Sequence, residues 1–127
     1  MLPTILIADD DPVIQKLLAV NFEMEGYRVV TASDGAEALE RVASDHPDLA
    51  VLDVMMPRVD GLDVVRALRA DPATCTMPVI LLSAKAQAVD INRGLEAGAD
   101  MYVTKPFDPA ELLDKAAALI VTAEGRT

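Results

Sequence analysis

Short aliphatic runs alternate with amphipathic stretches down the whole chain, and no other feature constrains the fold as strongly. A brief apolar run suits a strand buried on both faces, and a helix-length connection lets successive strands lie parallel. The rhythm therefore predicts an α/β fold, a parallel sheet covered by helices on both sides. Strands are expected at Thr4 to Ala8, Arg28 to Ala32, Leu49 to Leu52, Pro78 to Ser83 and Met101 to Thr104. Period 3.6 places Val13, Ile14, Leu17, Leu18 and Phe22 on the inward face of helix one, and Leu112, Leu113, Ala116 and Ile120 on that of helix five.

The polar punctuation agrees with that division. Asp11 precedes Pro12 as a cap for helix one, and Asp34 with Glu37 has the spacing of a capping box for helix two. Asp60-Gly61 and Asp108-Pro109 open helices three and five, while Gly26 and Gly98 stand where helices one and four should stop. Gly94, within helix four, costs about 1 kcal/mol relative to alanine and marks that helix as the softest.

A chain of 127 residues holds one such unit, with residues 1–122 expected to form the domain and 123–127 a frayed tail or the start of a linker. Its formal charge of -10 opposes direct contact with a nucleic-acid backbone. No apolar run approaches the roughly 20 residues needed to span a bilayer. The first strand follows Met1 without a basic leader, so a cytoplasmic protein is expected. Cys75 is the sole cysteine and His46 lies far from it in sequence, which leaves thiol catalysis without a pair. His46 and Arg58 read as solvent-facing loop residues.

Ligands of open parallel sheets bind beyond the carboxyl ends of the strands, so the residues there matter most. They are Asp9-Asp10-Asp11 after strand one, Asp53 after strand three, Ser83 after strand four and Lys105-Pro106 after strand five. Singly, each is an ordinary cap, turn residue or solvated charge. Together they share one sheet edge. With Asp11 assigned to the cap, Asp9, Asp10 and Asp53 form a cluster whose repulsion a hard divalent cation would relieve, and magnesium suits a few carboxylates acting beside a phosphate. Asp53, at the end of the apolar run Leu49-Ala50-Val51-Leu52, is the natural nucleophile toward a phosphoryl donor. Lys105 and Ser83 supply an ammonium and a hydroxyl for the phosphoryl oxygens.

These residues resemble the receiver domain of two-component response regulators over essentially the whole chain. The blocks that carry the resemblance are Ile5-Leu6-Ile7-Ala8-Asp9-Asp10-Asp11, Leu52-Asp53-Val54-Met55-Met56-Pro57 with Asp60-Gly61, Leu82-Ser83-Ala84, and Gly98-Ala99-Asp100 through Tyr102-Val103-Thr104-Lys105-Pro106-Phe107. The resemblance implies a flavodoxin-like, doubly wound sheet of order 2-1-3-4-5 with five helices. It also implies Asp53 as phosphoacceptor, and Mg2+ held by Asp10, Asp53, the Met55 backbone carbonyl and, through water, Asp9. Ser83 and Lys105 would contact the phosphoryl group, a cis bond would precede Pro106, and Tyr102 would be the switch aromatic that remodels the helix four, strand five and helix five surface.

The implied partners are a sensor histidine kinase or histidine phosphotransfer protein, and a downstream protein target or a C-terminal output domain. Met55 and Lys85 stand at positions that tune phosphoryl lifetime in this family. Neither offers a carboxylate or amide to orient water, so slow self-hydrolysis is expected. Asp100, Glu111 and Lys115 match the charged residues that stitch family homodimers, whereas Met101 and Ala117 replace an acid and a base, which counts against dimerisation through that face. Two other classes fit the residues less well. A haloacid-dehalogenase-type magnesium phosphatase lacks its later acidic pair and its cap domain, and a receiver-shaped module that is never phosphorylated would have lost one of the acids, the hydroxyl or the lysine.

Overall fold

The computed structural model describes residues 2–124. Five parallel strands, β1 (Thr4–Ala8), β2 (Arg28–Ala32), β3 (Leu49–Asp53), β4 (Val79–Ser83) and β5 (Met101–Thr104), are ordered β2-β1-β3-β4-β5. The helices between and after them are α1 (Pro12–Met24), α2 (Gly35–Asp45), α3 (Gly61–Ala70), α4 (Ala88–Ala97) and α5 (Pro109–Glu124). This is the doubly wound flavodoxin-like architecture expected from the sequence. Strand boundaries move by one residue: Asp53 closes β3, and β4 starts after Pro78, which has no N–H but whose carbonyl accepts from Ala50 N–H at 3.0 Å. α5 continues through Ala123 and Glu124, which the sequence assigns to a tail; residues 125–127 of that tail lie outside the described residues.

Alternation along the strands builds two cores. Leu6, Ala50, Leu52, Val79 and Leu81 meet Ala38 and Val42 of α2 and Val64, Val65 and Leu68 of α3. On the opposite face, Ile5, Ile7, Leu49, Val51, Ile80 and Leu82 meet Leu18 and Phe22 of α1 and Leu112, Ala116 and Ile120 of α5. β1, β3 and β4 are buried along their whole length, which is why they read as continuous apolar runs rather than alternating ones. Each such aliphatic side chain contributes on the order of 1.5–3 kcal/mol by leaving water.

α1 departs from its expected face. Leu18 and Phe22 are buried and Ile14 packs beside them, but Val13 and Leu17 are exposed at 74% and 44%. The helix has apolar residues on two sides, and only one of them can face the sheet.

Capping follows the sequence closely. Asp11, Asp34 and Asp60 accept from Val13, Glu37 and Asp63 N–H at 2.8 to 2.9 Å, and Asp108 accepts from Ala110 N–H at 3.0 Å. In the α2 box, Glu37 reaches back one residue further than expected, to Ser33 N–H. Gly26 and Gly98 have positive φ at the ends of α1 and α4. His46 is exposed, as expected, and ends α2 in the left-handed conformation. Among the described residues, no helix is long and apolar enough to cross a membrane.

Candidate functional site

The strand order reverses between β1 and β3, and the residues expected to carry chemistry meet in the crevice at that point. Asp9 extends the β1–β2 ladder through its N–H to the Ala32 carbonyl at 3.1 Å, which fixes its side chain at the strand mouth. Both of its carboxylate oxygens are engaged: Oδ1 accepts from Asp11 N–H at 2.9 Å and Oδ2 from Lys105 Nζ at 3.0 Å. Asp53 is 5% exposed; its Oδ1 accepts from Met55 N–H at 3.1 Å and its Oδ2 from Lys105 Nζ at 3.2 Å. Asp10 is exposed and completes a cluster in which one carboxylate oxygen from each of Asp9, Asp10 and Asp53 lies within 4.8 Å of the other two.

Lys105 reaches this cluster because its own N–H bonds the Ser83 carbonyl at 2.8 Å, carrying the β4–β5 pairing one residue past the strands. The Lys105-Pro106 bond that follows is cis. Gly61 opens α3 directly against the end of β3. A Cβ at that position would collide with the Asp53 carbonyl and lie 2.9 Å from Val54 Cα, so only glycine lets α3 start there.

The charges in the crevice do not balance. Three carboxylates face one ammonium, leaving an excess of two negative charges, the charge of one divalent cation. Burial pushes the Asp53 carboxyl above its ordinary range and the charge of Asp9 adds to this, against the Met55 N–H and the Lys105 ammonium. Burial alone would lower the Lys105 titration. The bond to Asp9 and the charges of Asp53 and Asp9 outweigh it and hold that titration above the usual lysine value. The donor set is all oxygen, which fits a hard cation better than a soft one. Asp9, Asp10 and Asp53 are the residues that would hold such an ion.

Ser83 is fully buried at the end of β4, and its hydroxyl oxygen accepts from Lys85 N–H at 3.0 Å. Tyr102 donates its hydroxyl to the Lys85 carbonyl at 2.8 Å. The two residues expected to switch thus hold opposite sides of one residue's main chain.

Two contacts escape sequence reasoning. The Gln15 amide donates to the Asp9 and Ala32 carbonyls at 3.1 and 2.9 Å, tying the ends of β1 and β2 beneath the cluster. Arg58, exposed as expected, lies in the left-handed region at φ 67° and also donates to both oxygens of Asp34 at 2.9 and 2.8 Å, pinning the loop after Asp53 to the start of α2. The N–H of Glu37, foremost, and the Arg58 guanidinium hold the Asp34 carboxyl below its usual range. A glutamine one turn into α1, on the side of the strand ends, is the only local signal for the first contact. The second joins residues too distant in sequence to leave one.

The charged residues expected at a dimer face are paired within the chain: Asp100 with Arg69 at 3.0 Å, and Glu111 with Lys115 at 3.2 Å.

Comparison with known proteins places these features in company. A family model described as response regulator receiver domain matches residues 5–117. The chain is 45% identical over 119 residues to the DNA-binding dual master transcriptional regulator RpaA of Synechocystis, covering 94% of this chain and 49% of that protein. It is 45% identical over 120 residues to the alkaline phosphatase synthesis transcriptional regulatory protein PhoP of Bacillus subtilis, with the same coverage. The chain thus spans about half the length of these curated relatives. Among solved structures, the CheY-like response regulator receiver domain protein of Methanospirillum hungatei matches with a TM-score of 0.93 at 29% identity, covering 100% of both chains.

Proposed function

The chain belongs to the response regulator receiver domain family, and on that footing we propose that Asp53 takes a phosphoryl group from a histidine kinase or histidine phosphotransfer protein. The observation that carries the reading is Asp53 itself: a buried carboxylate whose oxygens are held by Met55 N–H and Lys105, beside two further acids with a combined deficit of positive charge. One carboxylate oxygen of Asp53 attacks phosphorus, the bond from phosphorus to the donor imidazole nitrogen breaks, and that nitrogen keeps the electron pair. The product is an acyl phosphate. Lys105, released in part from Asp53, follows the transferred oxygens, and the Ser83 hydroxyl donates to another of them. Mg2+, held by Asp10, Asp53 and the Met55 carbonyl, would supply the charge that offsets the incoming phosphoryl group. Acid-labile, Mg2+-dependent modification of one site by a small phosphodonor, mapped to Asp53, tests the reading; turnover of phosphate esters without a stable modification would favour a phosphatase instead.

The exposed side of α1 bears on the donor. Val13, Leu17, Val20 and Met24 are exposed and recur at spacings of four, three and four, which aligns them in one stripe. The stripe begins two residues after Asp11, at the mouth of the acid cluster. A helical partner laid along it would bring its phosphohistidine over Asp53. Leu17→Glu is therefore expected to slow transfer from a protein donor about tenfold or more, a loss of at least ~1.4 kcal/mol, with small-phosphodonor labelling unchanged. Equal losses in both assays would remove α1 from docking.

Output goes through the β5–α5 face, where Tyr102, Phe107, Glu111, Leu112 and Lys115 line a hollow of about 220 Å³. Met101 and Ala117, which stand in place of an acid and a base, weaken pairing with a second copy, so this surface is assigned to a different protein or an attached output domain. A cytoplasmic setting, and slow loss of the phosphoryl group through Met55 and Lys85, go with the same reading.

A further inference from the structure

Gly94 is the only α4 residue buried among those described, and the reason lies across the β5 edge. A Cβ added there would lie 2.6 Å from Tyr102 Cδ2, 3.0 Å from Cε2 and 3.1 Å from Leu81 Cδ1. Real Cβ atoms do not approach ring carbons that closely, so the Tyr102 ring rests on bare helix backbone. From that rest its hydroxyl reaches the Lys85 carbonyl at 2.8 Å, while Lys85 N–H is held by Ser83 Oγ at 3.0 Å. We propose that Gly94 is a positioning residue: the missing side chain is the seat that fixes Tyr102 against α4, within reach of the Lys85 carbonyl and so of Ser83.

The seat explains a glycine that local propensity disfavours. At an exposed mid-helix position alanine would stabilise; here its methyl group and the ring compete for one space. An alanine forces the ring off the helix, breaks the bond to Lys85 and leaves the loop between β4 and α4 without its outer tether. The Ser83 end of the connection stays intact.

The seat stands on the geometry alone, whereas its role in signalling rests on phosphorylation of Asp53, and the experiment separates the two. Thermal unfolding of the full chain without phosphodonor is compared for wild type, Gly94→Ala, Tyr102→Ala and the double variant. Gly94→Ala is expected to lower the midpoint when Tyr102 is present and to raise it by up to about 3 °C in the Tyr102→Ala background, where the gain in helix propensity meets only the milder contact with Leu81 Cδ1. A rise of equal size in both backgrounds overturns the seat. For the coupling, 3-fluorotyrosine gives two 19F resonances, one for each tyrosine, assigned with Tyr27→Phe. In Gly94→Ala the Tyr102 resonance is expected to move in the resting protein and to lose its beryllofluoride-induced shift, with labelling of Asp53 retained. An unaltered beryllofluoride shift overturns the positioning role, and absence of labelling in wild type would defeat the phosphoacceptor reading while leaving the unfolding result to stand.

Discussion

Asp53→Asn is expected to reduce acid-labile phosphorylation to background with any donor, protein or small molecule, in the presence of Mg2+. The substitution keeps the shape of the side chain and an oxygen for Met55 N–H or Lys105, so the crevice should retain its form. What disappears is the anionic oxygen that attacks phosphorus, and neither neighbouring acid replaces it. Asp9 becomes the main anionic partner of the Lys105 ammonium once residue 53 is neutral, and Asp10 is exposed at the rim. Asp10→Asn makes the informative contrast. It spares the nucleophile and removes a cation ligand, so labelling should survive with its Mg2+ requirement raised by on the order of tenfold, the scale on which even outer partners of metal sites act. Undiminished labelling of Asp53→Asn would sink the assignment of the phosphoacceptor.

The second large effect is thermodynamic. An ion that binds the folded crevice stabilises the fold by about 2.7 kcal/mol at a hundred times its dissociation constant, which for a domain of this length raises the unfolding midpoint by on the order of 10 °C. Mg2+ should do this for the wild type and far less for Asp10→Asn or Asp53→Asn. Without the ion the order changes. Because the folded-state titration of Asp53 is raised, its ionised form opposes folding at neutral pH, so Asp53→Asn should melt above the wild type in chelator. That gap should narrow as the pH falls through the raised titration, since a protonated Asp53 no longer opposes folding, and should be gone below the ordinary carboxylate range. Sodium chloride matched in ionic strength is the necessary control for a chain of charge -10, whose self-repulsion any salt relieves. Equal Mg2+ responses in all three proteins would place the effect outside the crevice.

Much of the site is legible in the sequence because its members are punctuation. Asp9, Asp53, Ser83 and Lys105 each follow an aliphatic run, and in a parallel sheet all such positions converge on one edge. Asp11, Asp34, Asp60 and Asp108 were legible for a similar reason, since a cap acts within three residues of itself. The dimer-face charges were legible only as positions. Asp100 could not be foreseen as the partner of Arg69, which also donates to the Gly98 and Met77 carbonyls, because the two lie 31 residues apart on different elements.

The acid cluster with its lysine was determined by sequence alone, because strand ends follow from local periodicity and a parallel sheet brings them to one edge, whereas the strand order came only with the family resemblance. Tertiary structure decided the rest. α1 carries two apolar sides, and only the docked helix shows that Leu18 and Phe22 enter the core while Val13 and Leu17 remain outside. Gly94 reads as a weakness in its own helix and becomes a seat only when β5 lays Tyr102 beside it. Periodicity records which faces a helix can bury; the competition for space between elements distant in sequence selects one of them.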